Sequence, residues 1–400
     1  MSVQFDDVDI PINAEKQIEL QDFLSNLSPN NVDNTADSIL ESNFVEDQDI
    51  LYELCTEIKT IHRVRPFSTA CFSKLIKHIS DKLPNANIIS HIFEPERPIF
   101  NQDIVLLNQC FQDGIVSEEF IVNFHKHLSN RTLAYALYFT PYIKYFDDYI
   151  KARTHYHDDR FQEVLQNYEK YSANDFEILR NCIEFGWDVG SLGYIIKFDE
   201  SDKFIVKIAE LDNCTCITLY SPFEYLIEKP VYIFNLAALY GSVSIFKYLI
   251  ASSATLPLDL PKYAIMGGNY EIIRLCMQAG LDFSDSINTA VEYHRNEIFN
   301  WLTVNGIAAS TFYSSVMKDN LLALIYFISQ GFNVKFNENE WSTPLHMAVS
   351  YGSSAVIDFL ISSGCDWKAV DENGWRPLDL ADSEYQKHFI NHCINRELLA

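Results

Sequence analysis

The chain has 400 residues, 48% hydrophobic and 14% aromatic, with 55 acidic side chains against 30 basic ones and a formal charge of −25. Such a composition can fill the cores of about two to four ordinary domains, which excludes disorder along the whole length. The acidic excess repels phosphate polymers and anionic membranes, so a basic or neutral protein partner is expected rather than nucleic acid or membrane.

Charge is concentrated at the start. Residues 1–60 hold 14 acids and two bases, and the polar run Ser28-Pro29-Asn30-Asn31-Val32-Asp33-Asn34 argues for a loosely ordered acidic arm over residues 1–44. The opening MSVQFDDVDIPI has acids where a secretory signal needs a basic start and an apolar run, and no uncharged apolar stretch of about 18 residues follows. A soluble, cytoplasmic protein is expected, with the nucleus left open. Within the arm Ile18, Leu20, Phe23, Leu24 and Leu27 recur at helical spacing. This predicts a short helix docked on its own protein, the alternative being a peptide that recognises a partner.

Residues 45–186 read as a helical amino-terminal domain. Ile50-Leu51-Leu54-Cys55-Ile58-Ile61 and Phe72-Leu75-Ile76-Ile79 repeat at three and four, strand-like alternation is nearly absent, and turn signals such as Lys82-Leu83-Pro84-Asn85 and Gln112-Asp113-Gly114 separate the stretches. The nine cysteines are scattered through helix-like surroundings, as small buried hydrophobes would be in a reducing compartment.

From residue 187 onward the chain repeats. Ala348 of Thr343-Pro344-Leu345-His346-Met347-Ala348 aligns with Ala381 of Arg376-Pro377-Leu378-Asp379-Leu380-Ala381. Upstream the matching positions are Ser315, Ala290, Ala264 and Ala237. A second-helix phrase follows each, as in Ser244-Ile245-Phe246-Lys247-Tyr248-Leu249-Ile250 and Val356-Ile357-Asp358-Phe359-Leu360-Ile361. Gly280, Gly306, Gly331 and Gly364 close four of these phrases. A Thr-Pro pair supplies an N-cap oxygen and a first residue whose missing N–H costs nothing, and the closing glycine suits a left-handed helix end. Two short helices cannot bury their apolar faces alone, so each unit must stack on its neighbours.

Thr343 to Ala348, Gly352, Leu360 to Gly364 with Asp366, and Asp371-Glu372-Asn373-Gly374-Trp375-Arg376-Pro377-Leu378 resemble consecutive ankyrin repeats. Over residues 235–335 the period shortens, by about the length of the β-hairpin finger that joins such repeats. Tyr194 to Phe204 resembles a further degenerate unit with a long insert before Phe234, and Phe176 to Asp188 resembles half of another. The whole resembles ankyrin families of single-celled eukaryotes whose leading helical domain has no assigned function. The resemblance implies an all-α chain: a helical amino-terminal domain, then an ankyrin-repeat solenoid over residues 187–400. Six or seven units are expected, with one or two β-hairpin fingers near the carboxyl terminus. Trp341 stands where one finger turn would have glycine. Lys387, His388, Asn391, His392 and Arg396, after Tyr385 in place of a glycine, give the last unit the polar outer side of a cap.

No pattern carries catalysis. Cys214-Thr215-Cys216 has no partner pair at zinc-binding spacing, His155 and His157 point to different sides of a helix, and His125 and His127 repeat that spacing. His346 occupies the ankyrin histidine column, where the resemblance implies a hydrogen bond between repeats. No phosphate loop or nucleophile motif occurs, so no enzyme, cofactor, metal or small-molecule substrate is expected. Surface remains. In ankyrin repeats the two residues before the first-helix glycine face the concave side, which singles out Tyr240, Met266, Tyr293, Met317 and Tyr351 as a contact stripe, the alternative being that short fingers or the amino-terminal region bury them within the protein. Glu372, Asn373, Trp375 and Arg376 form a second candidate at a fingertip. The expected function is non-catalytic protein recognition, as scaffold or adaptor, on these two surfaces. The alternative is a substrate adaptor of a ubiquitin ligase or similar machine that docks through residues 45–186.

Overall fold

The computed structural model describes residues 12–42, 44, 48–65, 68–94, 100–128, 133–152, 160–210, 217–252, 255–307, 312–332 and 342–399. Two compact units emerge: residues 1–130 with 291–400, and residues 131–290. These divisions fall differently from the boundaries at 44 and 186 read from the sequence. Residues 45–130 share a unit with the last repeats, while residues 131–186 share one with the first.

The first unit opens with α1 (Ile12–Ser25), α2 (Val32–Glu41), α3 (Gln48–Val64), α4 (Thr69–Lys82), α5 (Ile88–Ile92), α6 (Asn101–Gln112) and α7 (Glu118–His127). The stretch expected as a loosely ordered arm is therefore helical over α1 and α2. The reason is its apolar stripe: Leu20, Leu24 and Leu27 are buried, as are Val32, Ala36 and Ile39 of α2, and each such side chain contributes about 1.5–3 kcal/mol. The helix expected to dock on its own protein does so, lying against α3. Leu54, Ile58 and Ile61 of α3 and Phe72, Leu75, Ile76 and Ile79 of α4 are buried, as their spacing predicts. Ser117 caps α7 by accepting from Phe120 N. The Arg63 guanidinium grips Asp103 with bonds of 2.8 and 2.7 Å.

The second unit runs through α8 (Leu133–Phe139), α9 (Lys144–Lys151), α10 (Gln162–Gln166) and α11 (Tyr168–Phe185), the last broken at Ala173–Phe176. Helix pairs follow: α12 (Leu192–Lys197) with α13 (Ser201–Ala209), α14 (Ile233–Tyr240) with α15 (Val243–Ala251), and α16 (Leu260–Gly267) with α17 (Tyr270–Gln278). First helices α12, α14 and α16 stack in order, and second helices α13, α15 and α17 do the same. α14 and α16 approach so closely that a Cβ at Gly267 would stand 2.3 Å from Ala238 O. Between α13 and α14, Thr218–Leu219 and Val231–Tyr232 form a two-residue antiparallel ladder. These are the only strands among the described residues; they lie in the insert, and the finger expected around Trp341 falls outside the described residues.

Beyond α18 (Ile287–Glu292), the first unit continues with α19 (Asn296–Val304), α20 (Phe312–Met317), α21 (Leu321–Ser329), α22 (Pro344–Tyr351), α23 (Ser354–Ser362), a 3₁₀ turn at Pro377–Leu380 and α24 (Glu384–Leu399). The closing glycines Gly280, Gly306, Gly331 and Gly364 have φ between 75° and 90°, the left-handed helix ends that their spacing predicted. α24 packs on α23. Its Arg396, expected on the polar outer side, reaches inward to Asp358 and Ser362.

Candidate functional site

Each repeat pair has two edges with different chemistry, one at the turn between its two helices and one at the fingertip. At the turn, a residue in the left-handed region follows every first helix. Asp199, Gly241 and Gly268 hold this place in the second unit, and His294, Asp319 and Gly352 hold it in the first. Where the residue is not glycine, its side chain ties one repeat to the next. Asp199 accepts from Ser244 N and Ile245 N, at 3.0 and 2.9 Å. Asp319 accepts from Ala355 N and Val356 N, at 3.4 and 2.9 Å. A carboxylate at these helix starts satisfies N–H groups the helix leaves open and meets the positive end of the dipole. His294 Nε2 pairs with Lys318 O at 2.7 Å.

In the first unit three such turns receive a side chain from the amino-terminal helices. Arg65, just past α3, donates to Tyr293 O and His294 O, both at 2.8 Å. Gln21 of α1 donates to Asp319 O and to Glu57 Oε2, while its Oε1 accepts from Leu321 N at 3.2 Å. Ser354 Oγ donates to Glu57 Oε1 at 3.3 Å. α1 lies against α21 and α23, and α3 against α23 and α24. Burial, followed by Asp358 and Asp319, pushes the Glu53 carboxyl well above its ordinary range.

The fingertip is self-assembled and open. Asp371 Oδ1 accepts from Asn373 N and Trp375 N, at 2.8 and 2.9 Å, and Asp371 N donates to Trp375 O at 2.9 Å. Gly374, with φ of 79°, supplies the left-handed residue of this turn. Thr343 caps α22, and because His346 Nδ1 accepts from Thr343 N, it is Nε2–H that donates to Trp375 O, at 2.9 Å. The histidine thus makes the inter-repeat bond that the resemblance implied. Arg376 forks onto Asp379, with bonds of 3.0 and 2.9 Å, and the salt bridge brings the Asp379 carboxyl down to about 2.

The predicted contact residues separate into three groups. Tyr351 and Trp375 present 60% and 52% of their surfaces to solvent, and Glu372, Asn373 and Arg376 beside Trp375 are exposed as well. Tyr293 and Met317 are half-buried. Met266 is only 4% exposed, and Tyr240 is committed internally: its hydroxyl receives Trp187 Nε1 at 2.7 Å and donates to Glu224 Oε2 at 2.9 Å. Lys197 Nζ completes the network at 3.0 Å from Glu224 Oε2. Burial, then Glu224, pushes the Tyr240 hydroxyl well up. The cause is the long insert, whose Glu224 is itself buried between these groups, so a stripe of five contact residues does not form.

Sequence reasoning missed the covered turn edge. Its signal was present as Gln17 and Gln21 on α1 and Glu53 and Glu57 on α3, polar pairs four apart beside apolar stripes. Cys214, Cys216, His155, His157, Trp341 and the Tyr385 side chain lie outside the described residues. The seven cysteines described are buried and form no disulfide with one another. Among the described residues no helix is long and apolar enough to cross a membrane.

Residues 331–381 match the family of ankyrin repeats in many copies, and residues 258–327 match a domain of unknown function, DUF3447. Among curated proteins, the ARF GTPase-activating protein Git of Drosophila melanogaster is 40% identical over 70 residues, 17% of this chain and 10% of that protein. Protein phosphatase 1 regulatory subunit 27 of Homo sapiens is 28% identical over 85 residues, 21% of this chain and 55% of that one. The chain thus spans a tenth of the fly protein's length and about half of the human protein's. The ankyrin repeat domain of human ASB11 overlays with a TM-score of 0.37 at 17% identity, covering 50% of this chain and 96% of that one. Paired short helices, glycine-closed ends, the Thr343–His346 cap and the family match agree: the chain bears a protein-protein interaction module and is an ankyrin-repeat protein.

Proposed function

We propose that the chain is a non-catalytic scaffold that takes a protein partner on the exposed surface of its last two repeats, with Tyr351 at the end of α22 and Trp375 at the fingertip as anchors and Glu372, Asn373 and Arg376 at the rim. The observation that carries this reading is two exposed aromatic side chains on backbone that is already hydrogen-bonded in place. Aromatic anchors supply large contact area at low conformational cost when the backbone beneath them is rigid. Tyr293 and Met317 extend the surface as half-buried contacts, whereas Tyr240 and Met266 are not offered to a partner. The charge of −25 favours a basic partner by steering its approach. Buried cysteine thiols fit a reducing compartment, the cytoplasm.

The test is site-specific photo-crosslinking in native cells from positions 351 and 375, alongside a Tyr351→Ala, Trp375→Ala double variant. The proposal expects both positions to capture the same partner and the double variant to lose it with its melting temperature unchanged. A partner that crosslinks elsewhere, or survives the double substitution, would overturn it.

A further inference from the structure

Helix pairs in compact domains are usually joined by about 2–8 residues, yet α13 ends at Ala209 and α14 begins only at Ile233. The ladder of Thr218 with Tyr232 and Leu219 with Val231 draws the ends of the intervening loop together, so residues 220–230 form a closed loop on a two-residue stem. Within it Ser221-Pro222-Phe223-Glu224 belongs to no helix or strand and is gripped by side chains instead. The Arg160 guanidinium donates to Pro222 O at 2.8 Å and to Glu224 O at 3.1 Å, and the Tyr138 hydroxyl stands 3.5 Å from Phe223 O. Three successive carbonyls therefore face side-chain donors from outside the loop, as those of a bound peptide do.

Two side chains of the segment fill shaped places. The Phe223 ring lies edge-on to Phe161 and Tyr138, with centroids 5.3 and 5.8 Å apart. Glu224 Oε2 receives Lys197 Nζ at 3.0 Å and the Tyr240 hydroxyl at 2.9 Å, and Trp187 Nε1 aligns that hydroxyl from 2.7 Å. Backbone closes the remaining side: a Cβ at Gly186 would stand 2.8 Å from Glu224 Oε2, and Gly186 O accepts from Ser221 Oγ at 2.5 Å. An aromatic slot, a carboxylate clamp and an arginine fork thus converge on four residues of chain.

We infer that this is a peptide-binding site, that its ligand is a partner segment carrying phenylalanine followed by glutamate, and that residues 221–224 occupy it in cis. Because the loop closes on a short stem, it can leave the site without unwinding α13 or α14. Tethered in this way it competes at an effective concentration on the order of millimolar, so a partner displaces it only at comparable local concentration or by holding a second surface as well. Tyr240 is offered to a partner only in that exchange, and the site shares no residue with the anchors Tyr351 and Trp375.

Hydrogen exchange of the full chain, with and without about 5 mM of the probe acetyl-Ser-Pro-Phe-Glu-Tyr-amide, tests this. The probe should speed exchange of the amides in residues 220–230 by about tenfold while those in 233–251 keep their protection. Probes with alanine in place of phenylalanine, or glutamine in place of glutamate, should leave the loop protected. In a full chain carrying Phe223→Ala and Glu224→Ala the loop no longer competes, and fluorescence anisotropy of the labelled probe should report affinity at least about tenfold above that of wild type. Unchanged protection of the wild-type loop, equal displacement by the control probes, or no gain of affinity in the folded variant would overturn the inference. If the variant does not fold, the wild-type exchange decides alone.

Discussion

The two edges of the last repeats are built from the same helix pairs yet end in opposite states. At the turn edge, backbone carbonyls and N–H groups of Tyr293, His294, Asp319 and Leu321 find their partners in Arg65 and Gln21, which come from helices hundreds of residues away in sequence. At the fingertip, Asp371, His346 and Asp379 satisfy the backbone and Arg376 from within the same two repeats. An edge whose polar groups are satisfied from within needs no cover, so its Trp375 side chain stays open. An edge whose polar groups are satisfied from outside is closed by the elements that supply them. Exposure in a repeat thus depends on where the hydrogen bonds come from as much as on which residues are apolar.

The comparison breaks most visibly at Arg65. Arg65→Ala would strip three carbonyls, those of Ser25, Tyr293 and His294, of their donor. A loss of about 3 kcal/mol is expected in urea denaturation, with Arg65→Lys recovering only part because an ammonium lacks the fork. Acid sharpens the same edge. His62 and His294 are buried, and burial brings both down to about 4. Because these folded values are depressed, stability is full above the ordinary histidine value and falls as pH drops from about 6.5 towards 4, by up to ~3 kcal/mol for each. His294→Asn, which tolerates the φ of 49° at that position, should halve the steepness of that acid limb in denaturation measured against pH.

A smaller effect is expected where the fingertip supports itself. His346→Ala would remove the bond to Trp375 O and half of the Thr343 cap, costing about 1–2 kcal/mol in thermal denaturation. It should also loosen the tip and weaken partner capture at position 375. The anchors come last: Tyr351→Ala and Trp375→Ala should leave stability within about 0.5 kcal/mol while abolishing capture. A large destabilisation by either would move that residue into the core, and by Trp375→Ala would erase the contrast between the edges.

Much of this was legible in the residues. Thr343-Pro344 and the four closing glycines announce helix starts and ends because capping chemistry is local, and His346 announces its bond because the repeat pattern fixes its neighbour. Asp199, His294 and Asp319 were harder. They take the left-handed place that glycine fills in Gly241, Gly268 and Gly352, and only the φ values reveal that they share one column. Tyr240 was misplaced for a different reason. Its spacing is that of a concave residue, but Trp187 and Glu224 come to it from outside its repeat.

From sequence alone come the repeat, the all-α class, the helix ends and the exposed tip, since each rests on spacing within about 35 residues and on capping rules that need no distant partner. The tertiary structure decided that the acidic amino-terminal segment is a docked helix and that Gln21 meets the Asp319 carbonyl 298 positions away. It also decided which of the predicted aromatic contacts remain available. Those outcomes depend on desolvation and on hydrogen bonds between remote segments, and no local pattern encodes which buried side chain will find which distant backbone group.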